Sequence, residues 1–178
     1  MADSSDLERK LAAVLYADVA GYSRLTGADE EGTHRALRAS LDVIAGEVVS
    51  HRGRVIHYAG DAVLAEFASV LDALKCAIAV QTEFGARNAP LPEDQRLQFR
   101  IGINLGDVIV DRDELYGDGV NVAARLETLA DPGGICVSRP VYDQVHNKSD
   151  ADFEFMGEQM VKNIAEPVHA YRVNFGQV

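Results

Sequence analysis

The run KLAAVLYADVAGYS constrains this chain more than any other stretch. Leu11 to Tyr16 is a short apolar run without helical period, and it ends in Asp, Gly and Ser, as an inner strand does where it leaves a sheet. Asp18 is thereby placed at a strand end. A second stretch, RVIHYAGDAVLAEF, reads as two short strands, Arg54 to Tyr58 and Ala62 to Phe67, around the tight-turn signal Ala59-Gly60-Asp61. If these strands lie beside the first, Asp18 and Asp61 converge. Two close carboxylates in apolar surroundings repel each other and resist desolvation unless something cationic neutralises them. A hard divalent cation with phosphate oxygens would do so.

The remaining elements follow from periodicity and punctuation. A helix is expected from about Glu30 to Ser50, with Leu37, Leu41, Ile44 and Val48 at helical spacing, an acidic start at Asp29-Glu30-Glu31 and Gly53 as its stop. Ser69 and Asp72 form a capping-box-like start for a second helix to about Arg87, with Leu71, Leu74, Ile78 and Phe84 inward. Pro90 and Pro92 mark a loop. Phe99 to Ile103 and Val108 to Val110 read as a second hairpin around Asn104-Leu105-Gly106-Asp107, followed by a polar loop from Asp113 to Gly119. Asp118 is placed to cap a third helix whose Val122, Leu126 and Leu129 face inward while Asn121 and Arg125 share a neighbouring face. Ile135 to Val137 reads as a strand, Ser138 as the cap of a helix beginning near Pro140, and Phe153 to Phe155 and Val168 to Val173 as closing strands. The order predicts an α+β fold: a ferredoxin-like βαββαβ core with additional C-terminal strands and a helix, its antiparallel sheet carrying helices on one face.

A length of 178 residues suits one domain, expected over 11–178 behind a polar segment at 1–10. A formal net charge of -11 argues against nucleic acid or an anionic membrane surface as a partner. No apolar run is long enough to span a bilayer and the acidic start is unlike a signal peptide, so a cytoplasmic protein is expected. Cys76 and Cys136 suit buried, reduced thiols better than a disulfide or a metal site.

LYADVAGYSRL, RVIHYAGDAVLAEF, FRIGINLGDVIV, YGDGVNVAARLE and the late MVKN, in this order and at these separations, resemble the catalytic domain of the class III nucleotidyl cyclases, the adenylate and guanylate cyclase family. The resemblance runs from Leu11 to Val173. It implies that a nucleoside triphosphate is converted to a 3′,5′-cyclic nucleotide and pyrophosphate, with two Mg²⁺ or Mn²⁺ ions per site held by Asp18, Asp61 and the backbone carbonyl of Val19. Gly21 and Gly60 would leave room for phosphates beside the backbone. Asn121 matches the family residue that orients the ribose, and Arg125 the one that stabilises charge at the α-phosphate, a task suited to a planar, permanently charged guanidinium. Lys162 matches the Lys that contacts the terminal phosphates, although the loop around it departs from the fuller glycine-rich motif. The resemblance further implies a head-to-tail homodimer, the metal carboxylates of one chain opposite the Asn and Arg of the other.

His57 and Glu114 occupy the positions that select the base, and here the chain departs from both the adenylate pattern of Lys with Asp or Thr and the guanylate pattern that begins with Glu. His57 as donor and ionised Glu114 as acceptor would complement the N1 acceptor and N6 donor of adenine, so ATP is the expected substrate. The competing expectation is a cyclase-like domain that binds a nucleotide or dimerises without turnover. A diguanylate-cyclase-like relative would carry a GGDEF-type turn, whereas this turn reads AGDAV.

Overall fold

The computed structural model describes residues 7–21 and 29–176. Its elements are β1 (Leu7–Val19), α1 (Glu30–Ser50), β2 (Gly53–Ala59), β3 (Ala62–Phe67), α2 (Val70–Asn88), a 3₁₀ turn at Glu93–Gln95, β4 (Phe99–Asp111), β5 (Glu114–Tyr116), α3 (Asp118–Leu129), β6 (Ile135–Ser138), α4 (Arg139–Val145), β7 (Asp152–Gln159) and β8 (Val168–Asn174). Most of the polar stretch expected after Asp18, between Gly21 and Asp29, lies outside the described residues. One sheet runs β2-β3-β1-β4-β6-β8-β7, with β5 paired to β4. Its first four strands, joined by α1 and α2, are the expected βαββαβ core. The sheet is antiparallel apart from the parallel pair β4 and β6, whose connection passes through α3.

Strand alternation sorts side chains onto two faces. Ala13, Leu15, Ala17 and Val19 of β1, Val63, Ala65 and Phe67 of β3, and Phe99, Ile101 and Ile103 of β4 form the main core with α1, α2 and α4. The opposite face carries Ala12, Val14, Leu64 and Val108, which pack with Leu115 and with Ala123 of α3. Helices therefore cover both faces, which corrects the expectation of helices on one. Ser69 caps α2 as expected, its Oγ accepting from the Asp72 amide at 3.2 Å. Asp29 caps α1 by accepting from the Gly32 amide at 3.0 Å.

The second expected hairpin is absent: Phe99 to Asp111 is one strand paired with β1 along its whole length. Gly102 and Gly106 are there for contact with α3 rather than for a turn. A Cβ at Gly102 would lie 2.3 Å from the Glu127 amide nitrogen and 2.4 Å from the Ala123 carbonyl oxygen, so α3 rests its backbone on the strand. Buried Asn104 donates from Nδ2 to the Gly119 carbonyl at 3.1 Å and ties the start of α3 to the same face. Four smaller differences lie in local backbone geometry. Part of the loop expected at Asp113 to Gly119 is β5, and α3 is preceded by Gly117 at φ +104° with no side-chain cap from Asp118. Helix α1 ends through left-handed Arg52, while Gly53 begins β2, where a Cβ would strike the Phe67 ring at 2.4 Å. Ser138 precedes α4 without capping it. Both cysteines are free and buried, and burial pushes each thiol up to about 12.

Candidate active site

Asp18 is the penultimate residue of β1 and Asp61 lies in the two-residue turn between β2 and β3. Because β1 and β3 pair antiparallel with Ala17 opposite Val63, the turn falls beside the end of β1. The two carboxyl groups come within hydrogen-bonding distance of each other, as the sequence suggested. Burial raises the Asp18 carboxyl to about 6, assisted by the hydrogen bond to and the charge of Asp61; the Val19 amide and the Arg100 guanidinium pull the other way. The Val19 amide donates to Asp18 Oδ1 at 2.8 Å, and the buried Val19 side chain anchors this piece of backbone in the main core. Gly60 and Gly21 both hold left-handed backbone, at φ +64° and +69°, which accounts for glycine at each. Space around the Gly60 Cα is open, with no heavy atom within 4 Å of an added Cβ.

Two further groups on this face went unnoticed in the sequence. Arg100 stands opposite Asp18 across the β1–β4 ladder, and its Nε is buried with no hydrogen-bond partner among the described residues. Glu127, on the inward side of α3, is only 7% exposed; burial first, and then the charge of Asp18, raise its carboxyl to about 7, while Thr128 and Arg100 oppose the rise. Burial and the neighbouring charges of Asp18, Glu127 and Asp61 push the Tyr16 hydroxyl up as well. Helical spacing was the available signal for Glu127, because it shares a buried face with Ala123 and Ala130. Strand alternation was the signal for Arg100, which shares a face with Gly102, Asn104 and Gly106. The Asp18 and Glu127 carboxyl groups thus both lie within the field of one guanidinium, and Asp61 adds its charge to both. Among the described residues no group of three His, Cys, Asp or Glu is arranged to hold a metal ion.

Asn121 and Arg125 sit one turn apart on the exposed side of α3. Both are solvent-exposed, and Arg125 is not among the charges that act on Asp18 or Glu127. His57 and Glu114, 57 residues apart, do meet: Nδ1 lies 2.7 Å from Glu114 Oε2, bridging β2 to β5. Lys162 is exposed in the turn between β7 and β8, next to left-handed Asn163 and apart from these groups.

Residues 8–174 match the family model described as the adenylate and guanylate cyclase catalytic domain. The chain belongs to the class III nucleotidyl cyclases. This cyclase chain is 48% identical over 166 residues to putative adenylate cyclase 3 of Rhizobium meliloti (strain 1021), a match covering 93% of the chain and 28% of the relative. It is 29% identical over 150 residues to an adenylate cyclase of Streptomyces coelicolor, covering 84% of the chain and 38% of the relative. The chain thus spans well under half the length of these relatives. Among solved structures, the adenylate/guanylate cyclase/hydrolase from Silicibacter pomeroyi superposes with a TM-score of 0.89 at 37% identity, over 94% of this chain and 98% of that one. The adenylyl cyclase CyaB from P. aeruginosa, at 22% identity and a TM-score of 0.83 over 96% and 97% of the two chains, shares the fold. Among the described residues no helix of the cyclase is long and apolar enough to cross a membrane.

Proposed function

We propose that the chain, over residues 11–178, converts a nucleoside triphosphate, ATP foremost, to the 3′,5′-cyclic nucleotide and pyrophosphate in a head-to-tail homodimer. The observation that carries this reading is the division of the site: Asp18 and Asp61 are near enough for Asp61 to raise the Asp18 carboxyl, while Asn121 and Arg125 of the same chain face solvent. A second copy that places its α3 over the carboxylates would assemble all four groups, twice per dimer. Relatives whose names are adenylate cyclase support ATP over GTP.

The chemistry of the carboxylates suits two divalent ions, Mg²⁺ or Mn²⁺. Burial and the neighbouring Asp61 raise the Asp18 carboxyl, and burial and Asp18 raise that of Glu127; added positive charge would relieve both conditions. Asp18, Asp61 and the Val19 carbonyl would hold the ions, with the remaining donors taken from the triphosphate. Bound there, the ions supply Lewis-acid activation of the ribose 3′-hydroxyl and neutralise charge on the phosphates. The chain's own residues do the positioning. Asn121 orients the ribose so that its 3′-oxygen faces the α-phosphorus, and Arg125 stabilises the charge that gathers on the α-phosphate oxygens as the 3′-oxygen bond forms and the bond to pyrophosphate breaks. Lys162 meets the terminal phosphates as a point charge, and the left-handed turns at Gly21 and Gly60 let phosphate oxygens approach the backbone. Buried, free cysteines are in keeping with a cytoplasmic setting.

The test is incubation of the purified chain with each of the four nucleoside triphosphates and Mg²⁺ or Mn²⁺, with mass detection of product. Cyclic AMP is expected in largest amount, and none in EDTA or from Asp61→Asn. Absence of any cyclic product from the dimeric wild type would reject the reading.

A further inference from the structure

We infer that Glu114 is a positioning residue that fixes the tautomer of His57, so that the base is met by Nε2 of His57 acting as a hydrogen-bond acceptor. This deepens the proposed reading, on which it rests for the identity of the ligand; the tautomer itself stands or falls separately.

β2 lies at one end of the sheet order, and β5 hangs off β4, two strands removed from β2's neighbour β3. The His57 and Glu114 side chains close that distance. The β2–β3 register shifts between Val55 and His57, an irregularity of the kind that re-aims a strand side chain. Glu114 opens a three-residue strand between left-handed Arg112 and Gly117, so its backbone is held on both sides. The resulting contact is 2.7 Å from Nδ1 to Oε2.

An ionised carboxylate has no proton to give, so at this distance the hydrogen belongs to Nδ1. A free imidazole prefers its proton on Nε2; a charge-assisted bond to a carboxylate is strong enough to reverse that, by about tenfold in population. The neutral ring then shows a bare nitrogen on its far edge, and with the His57 side chain 36% exposed a ligand has room to reach that edge. Both residues are thereby reassigned. His57 was expected to donate to adenine N1, yet its one proton is committed to Glu114. In the neutral ring Nε2 accepts instead; the matching donor is N6–H in adenine and N1–H or N2–H in guanine, so the preference for ATP then rests on the relatives rather than on a His57 donor. Glu114 acts through His57, and because it stands four residues ahead of Asp118, the same contact holds the lead-in to the helix that carries Asn121 and Arg125.

The test uses the full chain labelled with ¹⁵N-histidine, at pH 9 where imidazole is neutral. Long-range ¹H–¹⁵N spectra, with His57 assigned by its loss in His57→Phe, should show His57 protonated on Nδ1 in the wild type. In Glu114→Ala it should return to the Nε2–H form, and Glu114→Asp should retain a share of the Nδ1–H form. An Nε2–H tautomer in the wild type, or no change in Glu114→Ala, overturns the inference even if cyclic nucleotide is made. The second arm compares affinity for ATP with that for purine riboside triphosphate, which lacks the N6 amino group. About a tenfold preference for ATP is expected in the wild type, lost in His57→Phe and reduced in Glu114→Ala. An equal preference in all three chains removes His57 from base reading. A Glu114-dependent Nδ1–H tautomer in a chain that neither binds nor cyclises nucleotide would instead reject the proposed function and leave the tautomer in place.

Discussion

Asp18→Asn should make the metal-free protein more stable while abolishing turnover. The folded Asp18 carboxyl sits at about 6, against 3.8 for an ordinary aspartate, because burial and Asp61 both oppose its ionisation. A rise of about two units corresponds to roughly 3 kcal/mol at 1.36 kcal/mol per unit. Asp18 remains partly in contact with water, which screens the repulsion, so about half is retained, roughly 1–2 kcal/mol. The sign follows from proton counting. Between pH 4 and 6 the folded chain holds more protons on Asp18 than the unfolded chain does, so folding stability falls as pH rises through that window. Asn has no proton to lose, and its amide can donate to Asp61. The advantage of the variant should be absent below about pH 4 and complete above about pH 7, appearing as a rise in Tm of about 3–6 °C for a domain of this size. Thermal melts followed by circular dichroism in EDTA, at steps from pH 4 to 8, measure it. Adding Mn²⁺ should raise the wild-type Tm and leave the variant nearly unmoved. A variant that melts at or below the wild type at pH 8 in EDTA would refute the reasoning, because Asp18 and Asp61 would then not be opposed in the folded chain.

Three further outcomes follow from packing and hydrogen bonding. Gly102→Ala places a methyl group against the α3 backbone and should cost about 2–4 kcal/mol in urea unfolding, with activity lost beyond what stability explains because α3 moves. Gln81→Leu should cost about 0.5–1.5 kcal/mol, since the bonds from Gln81 Nε2 to the Phe99 and Gly134 carbonyls at 2.9 Å are lost while those carbonyls keep their backbone donors, Gly133 and Ile101. Glu127→Gln should stabilise the metal-free protein above about pH 7, where burial and Asp18 otherwise oppose ionisation, and should leave it unchanged below about pH 4; denaturant midpoints at the two pH values separate these.

The first half of the fold was legible because its signals are local. Six residues of apolar run, a Gly-Asp turn and two amphipathic helices with Ser or Asp at their starts each report on their own neighbourhood, and β1 to α2 followed. The misreading at Asn104-Leu105-Gly106-Asp107 has a tertiary cause. Gly and Asn within an apolar stretch signal a turn when the local chain decides, but here Gly102 and Gly106 admit α3 and Asn104 holds it. The same holds for the site. Asp18 and Asp61 were visible as strand-end and turn residues, whereas Arg100 and Glu127 gain meaning only once β4 is a single strand with α3 lying on it. His57 and Glu114 stood out by resemblance to the family alone. Their mutual contact depends on how β5 is placed against β2, and no pattern in either segment announces it.

The claim at the centre of this account is that Asp18 and Asp61 of one chain work with Asn121 and Arg125 of another. Mixing Asp61→Asn with Arg125→Ala, each inactive alone, tests it directly. Random exchange makes half of the dimers mixed, and each mixed dimer holds one site with both lesions and one with neither, so cyclic nucleotide formation should recover to about a quarter of the wild-type rate per chain. Mixed dimers demonstrated by native mass spectrometry, yet without activity, would contradict it.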